Sequence, residues 1–169
     1  MKKTMGITRR DFLRLAGVAA LDLFLLAIGG VGYGFLMEPN SFKLETVRLK
    51  LTRLARSFSG FRLAQISDLH MGGWMDAARL QHVVDLVIEQ KPDTLLITGD
   101  FLIGHGNVQI SDQMVKDLIE QLSRLSSSIP SFAVLGNHDY WTNVETVRHV
   151  IASSGITDLT NAVSTVKRG

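Results

Sequence analysis

The chain has 169 residues, 46% of them hydrophobic, enough for one domain with a real core plus an additional apolar segment. Its formal net charge is only +2 and its basic residues are scattered, which argues against a nucleic-acid partner. It contains no cysteine, so disulfides, thiolate metal sites and cysteine nucleophiles are excluded together, and any metal must be held by oxygen and imidazole.

At the amino terminus, Lys2, Lys3, Arg9 and Arg10 precede an apolar run over residues 15–37 in which Asp22 is the sole charge. Roughly 20 such residues, rising about 1.5 Å each, cross a hydrocarbon core of about 30 Å. Residues 8–14, Thr-Arg-Arg-Asp-Phe-Leu-Arg, resemble the twin-arginine export signal of bacteria, which implies the twin-arginine translocation machinery as a partner. The following Phe35-Leu36-Met37-Glu38-Pro39 lacks the small residues of a cleavage site, so residues 1–37 are expected to remain as a membrane anchor. The rest of the chain is then expected on the outer side of the cell membrane, periplasmic or extracellular. Gly30, Gly32 and Gly34 fit glycines of a membrane helix better than a nucleotide loop, since no strand precedes them.

After a linker at Glu38-Pro39-Asn40-Ser41, Val47, Leu49 and Leu51 alternate with Arg48, Lys50 and Thr52, the pattern of a half-buried strand. A second strand is predicted over residues 61–67, ending at Asp68, His70 and the pair Gly72-Gly73. From Asp76, the spacing of Leu80, Val83, Val84, Val87 and Ile88 predicts a helix that Lys91-Pro92 stops. Residues 94–98 form a continuous apolar strand ending at Gly99-Asp100. Met114, Val115, Leu118, Ile119, Leu122 and Leu125 mark a second helix, residues 131–135 a further strand, and residues 143–153 a third helix. Two short extended pieces finish the chain, the last over 162–167. This alternation predicts a layered α/β sheet flanked by helices, with the strand ends on one edge.

Polar clusters fall after three successive strands: Asp68 with His70, then Asp100, then Asn137, His138 and Asp139. Ligands of open α/β sheets bind at that carboxyl edge. Asp68 and His70 are two residues apart, which in extended chain points both side chains the same way. Oxygen donors with one imidazole suit Mn²⁺, Fe²⁺, Zn²⁺ or Mg²⁺, and the two oxygens of Asp100 can bridge a pair of ions.

The ordered set Asp-Leu-His, Gly-Asp and Gly-Asn-His-Asp resembles the calcineurin-like metallophosphoesterases, whose motifs are Asp-x-His, Gly-Asp and Gly-Asn-His-Asp or Glu. The resemblance implies two divalent metal ions, held by Asp68, His70, Asp100 and Asn137, with Asp100 bridging. It implies His138 as the catalytic residue beside the phosphate, and hydrolysis of a phosphodiester or phosphomonoester by a water that the two metals activate. With the twin-arginine segment ahead of Ile66-Ser67-Asp68-Leu69-His70, the chain looks most like the membrane-anchored or exported bacterial members, for which a lipid- or envelope-linked substrate is expected. Residues 38–169 then correspond to the amino-terminal part of such a domain. The family normally adds a later His and a Gly-His-x-His motif, whereas no histidine here lies beyond His149, so the carboxy-terminal half is expected to be missing. The competing class is accordingly an inactive, membrane-tethered remnant that binds metal or a partner.

Among the remaining histidines, His82 and His149 are expected on helices away from the site, with His105 a poor ligand in a glycine-flanked loop. Asp139 is expected to orient His138 or to cap a helix. Trp74, Tyr140 and Trp141 are expected to pack beneath the loops.

Overall fold

A computed structural model describes residues 8–36, 42–103 and 109–168. The chain divides into two units, Met1–Glu45 and Thr46–Gly169. The first carries helix α1, Arg9–Leu36. Within it Phe12–Gly30 is long and apolar enough to cross a membrane by length and composition, and none of that window is buried. The expected boundary after residue 37 lies outside the described residues.

The second unit is built on four parallel strands in the order β1-β2-β3-β4: Leu63–Ile66, Thr94–Ile97, Ser131–Ala133 and Thr157–Asp158. The intervening helices are α2 (Ala77–Glu89), α3 (Asp112–Ser126), and the pair α4 (Asn137–Thr142) and α5 (Val144–Ser153). Asp76 caps α2 by accepting from Arg79 N–H, Ser111 caps α3 from Met114 N–H, and Asn143 caps α5 from Thr146 N–H, so the starts inferred from helical spacing fall at satisfied backbone donors.

Because each strand pairs with the next in sequence and parallel crossovers are right-handed, α2, α3 and α5 lie on one face of the sheet. One core joins them: Leu80, Val84 and Val87 of α2, Leu118, Leu122 and Leu125 of α3, and Val147, Val150 and Ile151 of α5 close over Leu95, Ile97 and Ala133. The alternate residues Leu63 and Gln65 are exposed on the other face, and Leu96 and Phe132 are half-buried.

Three expectations change. Residues 47–51 form no strand, and Val47, Leu49 and Leu51 are 74%, 75% and 61% exposed. Alternation signals a strand only where a neighbouring strand supplies backbone partners, and none does so here among the described residues. Residues 162–167 likewise form no strand. The third motif, read as a strand end and turn, is itself the short helix α4.

Leu118→Ala, which empties a fully buried position where α3 meets the core, is expected to lower stability by about 2 to 5 kcal/mol in urea denaturation of the full chain in detergent.

Candidate metal centre

Backbone pairing continues past the ends of β1 and β2. Asp68 N–H donates to Gly99 O at 3.1 Å, His70 N–H to Asp100 O at 2.9 Å, and Met71 N–H to Phe101 O at 3.0 Å. The two loops therefore run side by side, and residues 30 positions apart in sequence meet. This pairing is bought with unusual backbone: Asp68, His70 and Asp100 all have positive φ, at 55°, 44° and 60°. Such left-handed conformations are uncommon outside glycine, enriched for Asp, Asn and His, and cost about 1 kcal/mol or more each.

The extended tripeptide expected at Asp68-Leu69-His70 is thus not what forms. The strand has ended at Ile66, and two left-handed residues flank Leu69, which turns into the core. Asp68 and His70 still meet, with Asp68 Oδ1 3.6 Å from His70 Nε2. Asp100 Oδ2 lies 3.9 Å from the same nitrogen. These separations are too long for hydrogen bonds. They are close to the roughly 3.0 to 3.4 Å between donors that share one ion at about 2.1 Å. The ring's other nitrogen, Nδ1, is buried and has no hydrogen-bond partner among the described residues, so Nε2 is the edge presented to the carboxylates. Side-chain exposure rises from 12% at Asp100 to 31% at His70 and 63% at Asp68, giving the group a buried floor and an open mouth.

His138 approaches from α4. Its ring stands edge-on to that of His70, with centroids 4.6 Å apart. Ligand atoms of His70, Asp100 and His138 lie within 4.8 Å of one another. His138 is therefore near enough to act as a further nitrogen donor, a role that sequence spacing did not suggest. Asn137 is the exposed first residue of α4, next to His138 in the chain. Two carboxylates and imidazole nitrogens with no thiolate form a donor set that fits the borderline divalent ions expected from the sequence.

Two glycines make the close approach feasible. Gly99 has φ 96°, and a Cβ there would overlap the backbone of Gly136, while a Cβ on Gly136 would overlap the Asp100 carboxylate. Asp139, left without a definite role by the sequence, is 0% exposed, and its carboxylate accepts from Asp100 N–H and Gly136 N–H at 2.9 Å and from Phe101 N–H at 2.8 Å. Of the two alternatives expected for it, the cap is the one that forms: it caps α4 by reaching back to Gly136, and its other partners are on the β2 loop rather than on the His138 ring.

The aromatic expectation is corrected. Trp74, Tyr140 and Trp141 do not pack beneath the loops but are exposed, and the Trp141 ring lies 4.9 Å from that of His138. His149 is exposed on α5 with Nδ1 3.3 Å from Ser153 Oγ, and His82 is exposed on α2. His105 lies outside the described residues.

The profile of the calcineurin-like phosphoesterases matches residues 61–161, and the chain belongs to that family. It is 32% identical over 149 residues to a transmembrane protein with metallophosphoesterase domain of Danio rerio, covering 88% of this chain and 32% of that one. It is 28% identical to phosphodiesterase YaeI of Escherichia coli, over 95% of this chain and 56% of the relative. It is 35% identical to the UDP-2,3-diacylglucosamine pyrophosphatase LpxG of Chlamydia muridarum, over 64% of this chain and 31% of the relative. The chain thus spans between about a third and just over half of the length of these relatives.

Gly136→Ala is expected to displace the Asp100 carboxylate and weaken Mn²⁺ binding by about 10- to 100-fold, the usual cost of disturbing what orients a ligand. Titration calorimetry reads the affinity, and circular dichroism should show the helices unchanged.

Proposed function

We propose that the protein is a metal-dependent hydrolase of phosphate esters working at a membrane surface, and that Asp68, His70, Asp100 and Asn137 hold two divalent ions. The observation that carries this reading is the approach of Asp68 and Asp100 to one imidazole nitrogen in a family member, at 3.6 and 3.9 Å. When bound, such ions supply positive charge to the phosphoryl oxygens and lower the pKa of an attacking water.

The chain's own residues do the rest. Asp100, with the smallest exposure of the ligand set, provides anionic charge at the floor, where a lower effective dielectric strengthens its hold on cations. Asp68, at the open mouth, completes a ligand pair that solvent and substrate can reach. His138 stands between the two carboxylate-bearing loops and the exposed Trp141, where its ring can donate a proton to a departing alkoxide or hydrogen-bond a phosphoryl oxygen. Trp141 offers an apolar surface beside that position. This suits an ester whose departing alcohol carries an aryl or lipid-like group. Relatives named as a phosphodiesterase and as a UDP-2,3-diacylglucosamine pyrophosphatase support the substrate class of phosphodiesters and lipid-linked diphosphates.

The amino-terminal helix supports anchoring in the cell membrane, with the twin-arginine pair at Arg9 and Arg10 directing the domain to the outer side. Protease added to intact spheroplasts should then digest the domain while leaving a membrane-protected amino-terminal fragment; full protection of the domain refutes the orientation.

The catalytic reading is tested on the full chain in detergent with bis(p-nitrophenyl) phosphate. Hydrolysis should require Mn²⁺, stop with a chelator, and return when the ion is restored. Asp100→Ala should abolish it, and His138→Gln should lower kcat by about 10²- to 10⁴-fold. An Asp100→Ala rate equal to that of the unaltered chain refutes the proposal.

A further inference from the structure

We infer that Asp139 is the positioning residue of this centre: its buried carboxylate fastens the β2 loop to the β3 loop and thereby presets Asp100 for metal. This rests on the metal reading of Asp100 proposed above. Each Asp139 oxygen faces two backbone donors. Oδ2 accepts from Asp100 N–H and Gly136 N–H, both at 2.9 Å; Oδ1 accepts from Phe101 N–H at 2.8 Å and, at a longer 3.4 Å, from Leu102 N–H. A carboxylate offers about four acceptor sites, so those of Asp139 are used up and none is left for an ion. A fully buried carboxylate without such donors would be strongly disfavoured, so the burial of Asp139 depends on these contacts.

The clasp is reciprocal. While Asp139 holds the backbone of Asp100, the Asp100 Oδ1 accepts from His138 N–H at 3.0 Å. That bond fixes the carboxylate's rotation and leaves Oδ2 as the oxygen directed to His70. The φ of 60° at Asp100 is thereby held by three neighbouring N–H groups tied to one anion, and the same anion starts α4, which carries His138. Two ligand-bearing loops and the catalytic histidine share a single fastening point.

Asn is the informative replacement. Each oxygen of Asp139 accepts from two N–H groups, so an amide in either orientation sets a donor against donors. Mn²⁺ titration of Asp139→Asn should show affinity weakened by at least about tenfold. Leu125→Ala, which destabilises the core away from these loops, should keep the unaltered affinity in the folded protein and so separates positioning from general loss of stability. Asp139→Asn affinity within twofold of the unaltered chain overturns the inference. Amide hydrogen exchange on the unaltered, metal-free chain tests it without any variant: Asp100, Phe101 and Gly136 should already be protected, whereas protection gained only on adding Mn²⁺ overturns a preset clasp. An unaltered chain that binds no Mn²⁺ but protects these amides would instead refute the metal reading and leave the clasp intact.

Discussion

An anion sealed away from water must find its hydrogen-bond donors in the protein, and at Asp139 it finds them on two different loops. The remaining features of the centre follow from that demand. Gly99 and Gly136 lack side chains because the loops are drawn into backbone contact. Asp100 takes a left-handed conformation because its N–H must point at the carboxylate. The helix α4 begins where it does because the same oxygen that holds Asp100 also receives Gly136 N–H. Strain at one residue is balanced by charge-assisted bonds at its neighbours.

Sheet topology supplies the scale on which this fastening works. With four parallel strands in sequential order, three consecutive strand-to-helix turns fall at one edge, and backbone pairing carried beyond β1 and β2 keeps the first two in register. The helices sit together on one face over a continuous core. A well-packed layer resists deformation, so small displacements of the polar side chains at the edge are opposed by the body of the domain. Polar chemistry is concentrated at a rim whose supports are apolar.

The rim also carries one exposed aromatic ring beside His138, that of Trp141. Aromatic side chains with one wet edge suit a boundary between water and apolar material. Their exposure was not legible in the sequence: an aromatic next to a motif reads the same whether it packs inward or outward. Only the folded chain decides it, and there Trp74, Tyr140 and Trp141 are exposed. The same blindness affected residues 47–51, where alternation was present but, among the described residues, a pairing partner was not.

By itself the sequence determined much about this protein. Helical spacing and apolar runs placed α2, α3, α5 and the strands β1, β2 and β3, since these signals are local. Absence of cysteine confined metal chemistry to oxygen and nitrogen donors, and the order of the three motifs pointed to the family. Tertiary structure decided what depends on approach between distant residues. It replaced the extended Asp68-Leu69-His70 by two left-handed turns, brought His138 against His70, and gave Asp139 its partners some 38 residues away. The physical reason is common to all three: a backbone N–H or a ligand oxygen has no partner in sequence, and acquires one only when separate loops are brought to hydrogen-bonding distance.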